Sequence, residues 1–144
     1  MIRFALLLAF ALQSSAGNDF TTQREQWAHN LHDKRVEASI AQYAPDADFH
    51  DPSGVVTHGT AALRRLFQTV TNTFDSDLTF LDSRSDISGN LAYDAGIYRE
   101  IMVTRATGQK RDIHGTYLTV YRKNHDGRWL IIEQMWTVAP SDTK

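Results

Sequence analysis

Apolar and polar positions repeat along this chain with two periods, and the change of period divides it. From Asp19 onward Phe20, Trp27 and Leu31 recur at helical spacing, with Gln, Arg, Glu and His between them, and Asn18 or Asp19 can cap the start. His32-Asp33-Lys34 interrupts the stripe, and Val36, Ile40 and Tyr43 resume it as a second short helix. Ala44-Pro45-Asp46 ends that helix, because proline disfavours helix in the residue before it. Asp46 to Asp51 is predicted as a short strand with Ala47 and Phe49 on one face. Pro52-Ser53-Gly54 then turns the chain into a brief strand at Val55-Val56-Thr57. The clearest helix starts at Gly59-Thr60, where Leu63, Leu66, Phe67, Val70 and Phe74 form one apolar stripe.

After Asn72-Thr73 the pattern becomes that of strands. Asp77 to Asp82 alternates, Ile87 can extend this strand, and Gly89-Asn90 marks a turn. Leu91 to Arg105, Lys110 to Lys123 and Arg128 to Val138 are long strands, joined by hairpins at Ala106-Thr107-Gly108-Gln109 and Asn124-His125-Asp126-Gly127. Helices first and a meander of antiparallel strands afterwards make one α+β domain.

The first residues follow another logic. Arg3 supplies a positive start, Phe4 to Leu12 is an unbroken apolar run, and Gln13-Ser14-Ser15-Ala16 offers small residues for cleavage. This is the order of a secretory signal peptide, with cleavage expected after Ala16 and a domain over residues 17–144. The expected location is secreted or periplasmic. The apolar run falls short of the roughly 20 residues that a spanning helix needs, so no membrane association is expected after cleavage.

Charge and composition exclude several classes. The formal charge of -2 becomes -3 once Arg3 (+1) is removed, which leaves nothing basic enough to track phosphates, so no nucleic-acid partner is expected. Lys110-Arg111 and Arg122-Lys123 fall at strand ends, where charged residues usually face water. The absence of cysteine removes disulfides, thiol nucleophiles and thiolate metal sites. His50, His58 and Asp51 could gather a metal, but no compact ligand motif is present, and neither metal nor cofactor is expected.

The order of these elements carries several motifs: Trp27, the run Ala47-Asp-Phe-His-Asp-Pro-Ser-Gly54, the helix led by Gly59, Asp94-Ala-Gly-Ile-Tyr98, and Gly127-Arg-Trp129 before Gln134 and Trp136. Together they resemble the NTF2-like superfamily, and within it the SnoaL-like and DUF4440 group that includes ketosteroid isomerases. The resemblance covers residues 17–144. It implies a cone-shaped fold, a curved antiparallel sheet wrapped around N-terminal helices, with an apolar cavity inside. It also implies a homodimer through the outer face of the sheet.

By the register of that family Asp94, Gly96, Tyr98 and Glu100 face inward, as do Tyr117, Thr119 and Tyr121, and Ile132, Gln134 and Trp136. Trp27, Leu63, Phe67, Phe49 and Asp51 join them. The expected ligand-binding set is Trp27, Phe49, Phe67, Tyr98, Thr119, Gln134 and Trp136, for a small apolar or aromatic ligand. The same aromatics could instead simply fill the core. Gly96 suggests open space at mid-strand.

Asp51 falls by resemblance on the general-base aspartate of ketosteroid isomerases, whose carboxylate becomes a better base when an apolar pocket raises its pKa; the handling of carboxyl groups in that enzyme is a known case of such tuning. Equally, Asp before Pro is ordinary turn chemistry, its side chain bonding the backbone of Ser53 or Gly54. The two hydrogen-bond donors of that family are replaced: Trp27 stands for its tyrosine, and Tyr117 lies near the place of its second aspartate. Asp51 and Tyr117 are thus the candidate catalytic pair. Alternation of Ala47, Phe49 and Asp51 turns His50 the other way. Three functions stay open: a binding protein, an enzyme of the isomerase, cyclase or dehydratase sort, and a dimeric scaffold.

Overall fold

The computed structural model describes residues 20–140; the expected signal peptide lies outside the described residues. Helices α1 (Thr21–His32), α2 (Val36–Ile40) and α3 (Thr60–Thr73) accompany strands β1 (Tyr43–His50), β2 (Val56–His58), β3 (Phe74–Ser88), β4 (Leu91–Thr104), β5 (Lys110–Lys123) and β6 (Trp129–Trp136). The strands form one curved, unclosed sheet in the order β2-β1-β6-β5-β4-β3. The α+β architecture is the expected one. Among the described residues no helix is long and apolar enough to cross a membrane.

Four local expectations need correction. Tyr43 and Pro45 belong to β1 and not to a helix end, and the pairing of β1 with β6 slips between Tyr43 and Asp48. That pairing is parallel, so the sheet is not wholly antiparallel. β3 runs on without a loop from α3 and is far longer than Asp77 to Asp82. A bulge in β6 opposite Val120 and Tyr121 sets Ile131, and not Ile132, in the core, where Ile131 is 1% exposed.

A second bulge, at Leu81 of β3, explains Gly96. Phe80 pairs with Tyr98 and Asp82 with Ile97, so one residue is extra on β3. A Cβ on Gly96 would lie 1.9 Å from the Asp82 carbonyl oxygen. The glycine makes room for a neighbouring backbone and does not open the interior, contrary to the expected space.

The interior is layered along the strands. At one end Phe20 stacks on Tyr121, centroids 4.3 Å apart, with the edge of Trp129 against it. Next, Arg24 of α1 reaches across to β4, its Nη1 donating to both oxygens of Asp94 at 2.8 and 2.9 Å. Above that lie Trp27, Tyr43, Phe49, Phe67, Tyr98 and Trp136 in edge and stacked contacts. Fully burying such side chains contributes about 1.5–3 kcal/mol each, so this aromatic layer is a main stabilising element.

Candidate functional site

Beyond the aromatic layer the cone is open. A cavity of about 500 Å³ lies between the concave sheet and helices α1 and α3. α3 shapes it with its apolar stripe. Leu63 and Phe67 are buried in the core, and Phe67 also reaches the cavity, which Leu66 and Val70 of the same stripe line together with Phe74 at the start of β3. Trp27 and Trp136 close its inner end, their rings 5.2 Å apart and nearly parallel.

Behind this pair almost no space remains. A void of about 10 Å³ is bordered by Arg24, Tyr117, Thr119 and Gln134. Trp27 Nε1 donates to the Tyr43 hydroxyl at 2.9 Å, Tyr43 donates to Gln134 Oε1, and Gln134 Nε2 reaches Thr119 at 3.4 Å. The Tyr117 hydroxyl donates to Asp94 Oδ2 at 3.2 Å. Burial raises the Tyr117 and Tyr43 phenols well above their ordinary range.

The expected site residues therefore separate into two groups. Trp27, Phe49, Asp51, Phe67, Tyr98 and Trp136 line the cavity. Tyr117, Thr119 and Gln134 belong to the closed polar layer beneath it. The Tyr98 hydroxyl, pushed up to about 12 by burial, donates to the Thr137 carbonyl at 2.9 Å. The Trp136 Nε1 is buried without a partner.

Asp51 sits at the mouth. Its Oδ1 accepts from the Ser53 hydroxyl, from the Ser53 amide at 2.7 Å and from the Val55 amide at 3.1 Å. Its backbone amide donates to the Val55 carbonyl, and Gly54 takes a positive φ of 88° to complete the turn. These donors hold the Asp51 carboxyl below the usual carboxylate range. The expectation of a raised pKa is not met, because the turn supplies hydrogen bonds faster than the apolar walls remove water.

Glu100 shows the opposite behaviour. It lines the cavity from β4, with the Ser76 hydroxyl donating to its Oε1. Desolvation is the largest effect and raises its pKa, against the lowering effects of Ser76 and Arg111. Arg111 of β5 lines the same cavity, its guanidinium 5.4 Å from the Phe74 ring centre and its Nη2 3.1 Å from the Met102 sulfur. It is also an exposed residue, as expected of a strand-end basic run, so it borders the cavity from its open, solvent-facing side. The pairing of Glu100 with Ile113 and of Met102 with Arg111 makes Glu100 and Arg111 diagonal neighbours on the concave face. A carboxylate in the inward register of Tyr98 was the available signal for Glu100; none marked Arg111.

His50 points outward and pairs with Glu133 at 2.9 Å, and His58 pairs with Asp48. No cluster of three metal-ligating side chains exists among the described residues.

Comparison with known proteins matches residues 25–132 to the family model of the SnoaL-like domain. Solved structures with the same fold include a ketosteroid isomerase-like protein from Erwinia carotovora atroseptica, at 18% identity, 84% of this chain, 95% of that chain and a TM-score of 0.72. An NTF2-like superfamily protein from Salmonella enterica serovar Typhimurium has 19% identity, 87% and 91% coverage and a TM-score of 0.75. A protein with a cystatin-like fold from Nostoc punctiforme has 19% identity, 85% and 90% coverage and a TM-score of 0.70. No curated protein sequence matches significantly.

Proposed function

We propose a function from one premise: this chain belongs to the SnoaL-like domain family of the NTF2-like superfamily. Its function is to bind a small, largely apolar or aromatic molecule in the cone. The observation that carries this reading is the cavity of about 500 Å³, lined by Leu66, Val70, Phe74 and Leu78 and floored by Trp27 and Trp136. Its size falls in the range of small-molecule sites, about 300–1,000 Å³, and its walls have their mixture of apolar surface and few polar groups. A core simply filled by its aromatics would leave no such space.

Titration with naphthalene-2-methanol, followed through tryptophan fluorescence, tests this. Binding should saturate and should be clearly weakened in Val70→Trp, whose indole intrudes into the cavity from α3. Equal binding by Val70→Trp, or no saturation, rejects the reading.

A second reading, proton transfer on the bound molecule, is favoured by Glu100. In this form the proton acceptor is Glu100 and not Asp51, whose carboxylate serves its own turn. The sequence also supports export, with the mature chain starting after Ala16; an intact N-terminus on the protein recovered from its native host would reject that. A homodimer through the outer sheet face completes the proposed form.

A further inference from the structure

Among the described residues one cationic side chain lines the cavity, and its placement addresses the class of ligand. Arg111 makes no ion pair with a carboxylate among the described residues. Its partners are instead the Phe74 ring and the Met102 sulfur, neither of which neutralises a charge. Two carboxyl groups share the lining. Asp51 is at the β1 end, two strands away in the sheet order, with one oxygen bound into the turn. Glu100 is the diagonal neighbour, faced by Ser76 from β3, by Tyr98 on its own strand and by Arg111 from β5.

We propose that the ligand is an amphipathic aromatic carboxylic acid, its ring system against Trp27 and Trp136 and its carboxylate against the Arg111 guanidinium. A planar guanidinium matches a carboxylate through paired N–H groups, which a neutral head group cannot use fully. The second carboxylate oxygen then faces Glu100. Desolvation raises the Glu100 pKa, and whenever Glu100 carries its proton it can donate a hydrogen bond to that oxygen. Aromatic walls select the tail: Trp27, Phe49, Phe67, Phe74 and Trp136 offer ring faces and edges along the cavity. This inference rests on the pocket reading above.

The experiment uses three ligands with one ring system: naphthalene-2-carboxylate, naphthalene-2-methanol and naphthalene-2-methylammonium. Calorimetry on the wild-type protein should show the carboxylate binding about tenfold tighter than the alcohol, the scale of one hydrogen bond to a charged group. The ammonium should bind most weakly. In Arg111→Met, which keeps a long apolar stem over Phe74, carboxylate affinity should fall to that of the alcohol while alcohol affinity stays unchanged. Glu100→Gln, whose amide donates without ionising, should retain the preference.

Equal binding of acid and alcohol, tightest binding of the ammonium, or a preference that survives Arg111→Met would each overturn the head-group assignment while leaving the pocket intact. Loss of the preference in Glu100→Gln would overturn it as well. If none of the three ligands binds, the pocket reading fails first and the head-group assignment falls with it.

Discussion

The indole of Trp27, on the first helix, lies 5.2 Å from that of Trp136, on the last strand, with 22° between the ring planes. This contact joins the two ends of the domain and sets the depth of the cavity. Trp136→Ala should remove the cavity floor and expose the Thr119–Gln134 layer. A loss of about 3–5 kcal/mol is expected from urea denaturation, as for other large aromatic truncations. A loss below about 1 kcal/mol would show that Trp136 is not part of the packed floor.

Arg24 and Asp94 are 7% and 1% exposed and form the charged layer beneath. Removing one partner strands the other in the interior, so Asp94→Leu alone should destabilise by about 3–5 kcal/mol. The double variant Arg24→Met with Asp94→Leu should recover much of that loss. Denaturation curves for both variants and for Arg24→Met alone check this; strictly additive losses would refute the coupling.

Asp51 should behave as a turn residue. Its folded pKa is lowered by the Ser53 and Val55 donors, so its contribution is present above the unfolded carboxylate pKa and fades as pH falls through the folded value. The group is well solvated, so the effect should stay below about 1 kcal/mol. Asp51→Asn, which keeps the acceptor, should be nearly neutral at pH about 7 and should flatten the acid limb of the stability profile. Ligand affinity should not change.

Glu100 has the opposite sign. Its folded pKa is raised by desolvation, so stability is full below the unfolded carboxylate pKa and declines as pH rises through the folded one. Glu100→Gln removes that decline. The variant should be more stable than wild type at pH about 8, by about 1 kcal/mol as is common for relieved functional sites, with the difference gone near pH about 4. Thermal melts at the two pH values measure it, and a variant less stable at the higher pH contradicts the argument.

The outer face of the sheet carries Tyr93, Ile97, Leu118 and Met135, each more than a third exposed. Leu118 lies opposite Ala95 on one side and Met135 on the other, at the centre of this patch. Sedimentation should find the wild-type protein dimeric and Leu118→Glu monomeric, with near-wild-type ligand binding. A monomeric wild type would remove the dimer from the proposal.

The sequence alone determined the order and type of elements, because periods of 3.6 and 2 are local properties. It also placed Trp27, Phe49, Phe67 and Tyr98 inside, and it left Asp51 divided between base and turn, with the turn chemistry of Asp-Pro-Ser-Gly already visible. Arg24 was less legible: it shares the helix face of Phe20 and Trp27, but its charge hid an inward position that only Asp94 makes tolerable. Tertiary structure decided the rest. Bulges at Leu81 and Ile132 shift register by one residue, which exchanged Ile131 for Ile132 and filled the space beside Gly96. Parallel pairing of β1 with β6 carried the Asp51 turn to the cavity mouth. The curvature of the sheet and the placement of α3 set how much water reaches each carboxyl. Asp51 thus remained a solvated turn acceptor while Glu100 became the desolvated one, since desolvation depends on the surroundings of a side chain in space and not on its neighbours in the chain.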